Sequence, residues 1–219
     1  MRGNKKLTGL LISILLFCIS PIDSQNFNLQ EFVNLESIKH IVIDLRYAGS
    51  NNFMGENLYG DFKKAYLHPL AAEKLKTAAN LLQKKKPGWK LLIFDALRPL
   101  AVQRKLFSRV KGTNKEAYVA NPEYGSVHNF GFAVDIGLLD EKGQEVDMGT
   151  PFDDFTQLAQ PALEEQFLKS GKLTEIQVKN RKLLRNAMEE AGFIQLPLEW
   201  WHFDALPGNE VRKKYNIVK

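Results

Sequence analysis

Ser126-Val127-His128-Asn129-Phe130-Gly131-Phe132-Ala133-Val134-Asp135 sets an imidazole and a carboxylate seven residues apart, with a glycine between them. Phe132 to Ile136 alternates and is rich in β-formers, which predicts a strand. Residues seven apart on one unbroken strand point to opposite faces. His128 and Asp135 therefore serve one point only if the chain turns between them, and Gly131 is the residue that permits the turn. The expectation is His128 on a loop and Asp135 on the strand.

Further on, Glu199-Trp200-Trp201-His202 adds a second imidazole and, three residues before it, a carboxylate. That odd spacing calls for a bulge or tight turn at Trp200-Trp201 if both side chains are to face one point. Two histidines and an aspartate are ligands that Zn²⁺ accepts, and three protein ligands leave a fourth position for water, the layout of a catalytic site. Glu199 is left over as a candidate general base. A lone histidine and aspartate are more commonly a satisfied polar pair, so the weight rests on the combination.

Working outward, Ile41 to Tyr47 reads as a first strand and the Gly- and Asn-rich Ala48 to Gly60 as a loop. His68-Pro69 opens a helix whose stripe of Leu70, Leu75, Ala78, Ala79 and Leu82 runs to a basic stop at Lys84-Lys85-Lys86 before Pro87-Gly88. Trp89 to Leu97 is a buried strand ending in Arg98-Pro99, and a helix from about Leu100 to Val110 follows. By position alone, Asp95 and Arg98 are a salt bridge or cap at a strand end. A turn at Asp140 to Gly143 leads to a hairpin partner through Val146. Residues 156–170 and 175–191 read as helices; the second carries Ile176, Val178, Leu183, Leu184 and Met188 as a core stripe and stops at Gly192. Pro197 to Phe203 is a final aromatic strand, and Asn209 to Lys219 a polar tail. His40 and His68 lie outside any ligand spacing and read as surface or capping residues.

The first 24 residues stand apart. Arg2, Lys5 and Lys6 precede an apolar run from Leu7 to Ser20, short for a membrane span, with polar residues and Pro21 after it. This is the pattern of a secretory signal cut near Ser24, which places the protein outside the cytoplasm, in the periplasm. A lipid anchor at Cys18 competes, but the bulky Phe17 before it argues against processing there. Cleavage lowers the formal net charge from +5 to +3, because three basic residues leave with Asp23. That is no argument for nucleic acid. The only cysteine leaves too, so residues 25–219 form one domain with no disulfide, no thiol nucleophile and no transmembrane segment. A content of 44% hydrophobic and 25% charged residues is that of a globular chain with a sizeable core. Ser126 and His128 lack the glycine elbow of a serine hydrolase, and no phosphate loop or dinucleotide fingerprint is present.

The pattern Ser-x-His-x-x-Gly-x-Ala-x-Asp followed by Glu-x-Trp-His resembles the zinc peptidases that cut D-alanyl bonds in bacterial cell-wall precursors. Within them it looks most like the D-alanyl-D-alanine dipeptidases of the VanX type, from about Asp44 to Asp204. The resemblance implies Zn²⁺, one per chain, on His128, Asp135 and His202, with Glu199 as general base and acid. Asp95-x-x-Arg98-Pro99 matches a motif whose arginine stabilises the transition state, where a permanently charged donor meets an oxyanion. Met148-Gly149-Thr150-Pro151-Phe152-Asp153 is similar to the stretch that supplies an acid for the substrate ammonium, which makes Asp153 the candidate, joined by Asp95. A helix cap is the plain alternative for Asp153. Ser126 is expected to hydrogen-bond near the metal or substrate. Asn51 and Met54 depart from an Asp-Asn-Phe-Thr-Gly pattern, which touches fine substrate contacts rather than the chemistry.

The resulting expectation is a single α+β domain, a mostly antiparallel sheet with flanking helices like the D-Ala-peptidase and Hedgehog group. Its implied reaction is zinc-dependent hydrolysis of D-alanyl-D-alanine in cell-wall peptide turnover. The competing readings are a D,D- or L,D-carboxypeptidase acting on longer wall peptides and a non-catalytic zinc-binding module.

Overall fold

The computed structural model describes residues 29–219. The expected signal segment and Cys18 lie outside them. Seven strands and five α-helices are present among the described residues: β1 (Val33–Asn34), β2 (Ile41–Ile43), β3 (Tyr66–Leu67), α1 (Pro69–Lys85), β4 (Lys90–Asp95), α2 (Leu100–Val110), β5 (Ala133–Leu139), α3 (Glu164–Lys169), α4 (Glu175–Glu190), β6 (Ile194–Gln195), β7 (His202–Asp204) and α5 (Gly208–Lys214). Five strands form one sheet in the order β2-β4-β5-β7-β6. Only the β2–β4 pair is parallel; β4–β5, β5–β7 and β6–β7 are antiparallel. β1 and β3 form a separate antiparallel pair. The molecule is thus the α+β domain with a mostly antiparallel sheet that the pattern implied.

β5 is the spine of the sheet, and all seven of its residues are buried. Its alternation therefore does not mark one wet face; both faces are covered, as in a central strand. α1 packs on β4 and α4; Leu75, Ala78, Ala79 and Leu82 of the stripe read from the sequence are buried, and Ala71 and Ala72 join them. Leu70 in that stripe is 38% exposed, and Ile176 in α4 is 59% exposed. Both sit in a first turn, where the chain is still arriving at the core. His68 caps α1, its ring nitrogen Nδ1 accepting from Leu70 N at 3.3 Å, and stacks on Phe132. Gly192 stops α4 at φ 88°.

Several elements differ from expectation for identifiable reasons. β2 ends at Ile43, because Arg46–Ala48 folds into a 3₁₀ turn that buries Arg46 against Glu145 at 2.6 Å. The helix expected over 156–170 is two 3₁₀ turns, Gln157–Ala159 and Pro161–Leu163, leading into the short α3. Pro161 is the cause: it has no N–H to donate, and it holds Gln160 extended at ψ 121°. Of the expected final strand over 197–203, residues 202 and 203 lie in β7, while 197–201 form the turn between β6 and β7. The polar tail contains α5.

Candidate metal centre

Register brings the first two side chains together. β5 and β7 pair with Asp135 directly opposite His202, and Asp135 Oδ1 lies 3.0 Å from His202 Nδ1. His128 comes from outside the sheet. Residues Val127–Phe130 form a 3₁₀ turn capped by Ser126 and ended by Gly131 at φ 73°. A Cβ on Gly131 would meet Phe32 at 2.7 Å, so the site is reserved for glycine twice over, by backbone conformation and by space. The turn aims His128 Nε2 back at the strand pair, 3.2 Å from His202 Nδ1 and 3.3 Å from Asp135 Oδ1.

The three facing atoms form a triangle with edges of 3.0, 3.2 and 3.3 Å. Ligand atoms about 2.0–2.1 Å from a tetrahedral zinc sit about 3.3–3.4 Å apart, so the triangle matches one face of such a site. The opposite ring nitrogens settle what these atoms offer. His128 Nδ1 lies 2.7 Å from the Ala96 carbonyl, which only accepts, so Nδ1 carries the proton and Nε2 presents a lone pair. His202 Nε2 donates to Asp204 Oδ1 at 2.9 Å, leaving Nδ1 as the inward atom. A carboxylate oxygen and two ring nitrogens converging in this way form a donor set for a cation. Four carboxylates (Asp135, Asp153, Glu199 and Asp204) and two guanidiniums line the adjoining cavity of about 390 Å³, a charge balance that also favours a cation.

Protonation follows the same geometry. Burial alone would raise the Asp135 carboxyl, but the facing His128 and His202 overcome it and hold it well below the usual range. Burial would lower His202, yet Asp204 and Asp135 hold it well above its ordinary value. A proton therefore competes with a metal ion for His202 Nδ1, and binding releases it.

Glu199 sits in the β6–β7 turn, 5% exposed, with Oε2 3.8 Å from His202 Nδ1. Trp200 and Trp201 pin that turn: Trp200 Nε1 donates to Thr150 at 2.8 Å, and Trp201 packs edge-on against Phe152. The odd spacing from Glu199 to His202 is thus resolved by a turn before the strand begins. The Glu199 carboxylate accepts no hydrogen bond from any described residue and faces the cavity. Burial pushes it up to about 8, with His202 opposing and Asp135 and Asp153 adding to the rise. A divalent cation on the three ligand atoms would pull it back down.

Arg98 lines the same cavity. A shift in register between Ile93 and Asp95 sets Asp95 opposite Asp135 across β4 and β5. Arg98 bridges the two, 2.6 Å from Asp95 Oδ2 and 3.4 Å from Asp135 Oδ2, while Nη1 donates to Gln103 at 2.8 Å. Arg98 N donates to His128 O, and the Asn129 side chain donates to Arg98 O, which ties the two loops together. Asp95, expected to help meet the substrate ammonium, is placed behind Arg98. It is wholly buried, accepts a short hydrogen bond from Tyr59 and does not line the cavity, so it holds Arg98 in place.

Asp153 does line the cavity, with its backbone at φ 63°. That left-handed conformation is uncommon outside glycine and turns the carboxylate inward. Tyr47 donates to it at 2.9 Å and Phe53 N at 3.2 Å. It caps no helix. Asn52 shapes the loop that delivers Phe53, donating to Arg46 O and Gly49 O and accepting from Met54 N. Asn51 and Met54 do not line the cavity. Ser126 lines it, but its Oγ accepts from His128 N at 3.4 Å as a cap.

The residues not anticipated are Asp204, Tyr47, Gln103 and Arg212. Asp204 alone had a readable signal: on a strand, residues two apart share a face, and His202-x-Asp204 is such a pair. Because Asp204 orients the His202 ring, Asp204→Asn is expected to weaken binding of a divalent metal ion by about 10- to 100-fold. Competition against a chromophoric chelator measures it, and unchanged affinity would contradict the role.

Comparison with known proteins bears on this geometry. The profile of peptidase family M15, described as D-ala-D-ala dipeptidase, matches residues 28–219. A D-alanyl-D-alanine dipeptidase of Escherichia coli (strain K12) is 31% identical over 175 residues, covering 80% of this chain and 84% of that protein. One of Synechocystis sp. (strain ATCC 27184 / PCC 6803 / Kazusa) is 30% identical over 201 residues, covering 78% and 79%. One of Enterococcus faecium is 30% identical over 190 residues, covering 78% and 90%.

Proposed function

The chain belongs to the D-ala-D-ala dipeptidase family of metal-dependent peptidases, and from that premise we propose that it hydrolyses the dipeptide D-alanyl-D-alanine to two D-alanines using one Zn²⁺ held by His128, Asp135 and His202. The observation that carries the chemistry is the triangle of three inward-facing donor atoms with the Glu199 carboxylate, 3.8 Å from His202 and accepting no hydrogen bond from any described residue, beside it. Zn²⁺ there would lower the pKa of a water and polarise the scissile carbonyl. Glu199 takes a proton from the attacking water and returns it to the leaving amine. Arg98, fixed by Asp95 and Gln103, donates to the carbonyl oxygen as negative charge develops on it. Its buried pairing with Asp95 keeps it charged at every working pH. Asp153 meets the free ammonium, and Ser126 shapes the His128 turn. The signal-like pattern of residues 1–24 supports export, which would put the reaction in wall-peptide turnover outside the cytoplasm; an exported form beginning near Gln25 is the expected observation.

The test is release of D-alanine from the dipeptide by residues 25–219 at a measured zinc content, beside a muramyl pentapeptide. Preference for the pentapeptide would favour a carboxypeptidase instead. No D-alanine from either would remove the assignment.

Asp153 predicts a pH dependence. Burial raises its carboxyl to about 7, against the pull of Phe53 N and Tyr47. The folded chain holds that proton more tightly than the unfolded chain, where an aspartate titrates near about 3.9. Its contribution to folding is therefore complete below about pH 4 and is lost as pH rises through about 7. Binding of an ammonium has the opposite sign, since it needs the ionised form. KM for the dipeptide should fall as pH rises through about 7, and Asp153→Asn should remove that limb. A KM profile unchanged by the substitution would refute the contact.

A further inference from the structure

We infer that Arg212 forms a carboxylate subsite that reads the free C-terminal carboxylate of the substrate; this rests on the dipeptidase reading and extends it. A zwitterionic dipeptide brings a cation and an anion into the cavity. Asp153 supplies the partner for the cation. For the anion the lining offers two guanidiniums, and Arg98, held by Asp95, Asp135 and Gln103, is the one assigned to the carbonyl oxygen. Among the described residues Arg212 pairs with no carboxylate.

Its hydrogen bonds define which donors remain. Nε donates to the carbonyls of Tyr124 and Gly125, both at 3.2 Å, and Nη2 to Gly125 O at 3.0 Å. A guanidinium has five N–H groups, and these contacts use the Nε–Nη2 edge. The Nη1–Nη2 edge is left with its donors free, and that planar fork is the one that grips a carboxylate with two parallel bonds. Gly208 makes the placement possible: a Cβ there would meet Nη1 at 2.8 Å. The carbonyls that hold Arg212 belong to the stretch that runs through Ser126 into the His128 turn, which ties its charge to the segment carrying one of the three inward-facing donors. Asp153 is held by a separate stretch, Tyr47 and Phe53. A dipeptide spanning the two charges would lay its single peptide bond between them.

The measurement is kcat and KM for D-alanyl-D-alanine and for D-alanyl-D-alaninamide, which lacks the carboxylate. The wild-type protein should prefer the acid by about tenfold or more, chiefly through KM, the range of a charge-assisted hydrogen bond near solvent. Arg212→Gln should cut the acid-to-amide ratio about tenfold, and Arg212→Lys should restore part of it. A purely structural role would lower both substrates together and leave the ratio unchanged, which would overturn the inference. If Arg212→Gln does not fold, Gly208→Ala carries the same test by displacing Nη1, with the same ratio deciding. Wild-type protein that cleaves neither substrate would overturn the dipeptidase reading and this subsite with it; cleavage with an unaltered ratio in the variants would overturn the subsite alone.

Discussion

Glu199→Gln is expected to lower kcat by about two to four orders of magnitude with the metal still bound. The substitution keeps the shape of the side chain and removes only its ability to accept and return a proton. Glu199 accepts no hydrogen bond from the described residues, so little of the fold depends on its charge. Burial even disfavours that charge, so neutralising it should not lower the melting temperature. Loss of rate with intact zinc content and an unchanged melting curve would isolate the proton transfer. Near-normal turnover would remove Glu199 from the mechanism and leave the three donors as a metal holder only.

His128→Ala should abolish both metal binding and turnover. With His128 gone, Asp135 and His202 remain as a pair across two strands, and the third corner of the triangle is lost. The same change exposes how far the fold leans on the ion. At a thousandfold excess over its dissociation constant, a ligand specific for the folded state stabilises it by about 4 kcal/mol. For a domain of this size that is roughly 10 °C in melting temperature. Wild-type protein should lose about that much in chelator and regain it with zinc. His128→Ala should show no response to either. A variant that still gained stability and activity from zinc would place the ion elsewhere.

Much of this was legible in the residues. Phe132 to Ile136 reads as a strand because its alternation and β-formers act over a few residues. Gly131 reads as the turn because only glycine takes φ 73° without strain. The stripe and basic stop of α1 are equally local. Pro161 was legible too, since a proline in the middle of a helical pattern ends it, and the expected helix over 156–170 overlooked that rule. Where β7 begins was not legible: a run of aromatics is compatible with a strand or a buried turn, and the packing of Trp201 on Phe152 keeps the chain in the turn up to His202.

The sequence alone determined which groups were available, which of them lay on a strand and which on a turn, and the family to which their order belongs. Those properties depend on side-chain chemistry and on backbone preferences within a few neighbours. Only the tertiary structure decided that Asp135 stands opposite His202. It alone moved Asp95 behind Arg98 by a register shift between Ile93 and Asp95, set Asp204 on the far nitrogen of His202, and tied Arg212 to the Tyr124 and Gly125 carbonyls beside the cavity. These outcomes depend on strand register and on contacts between segments tens of residues apart, which packing of the whole core sets and no local pattern encodes.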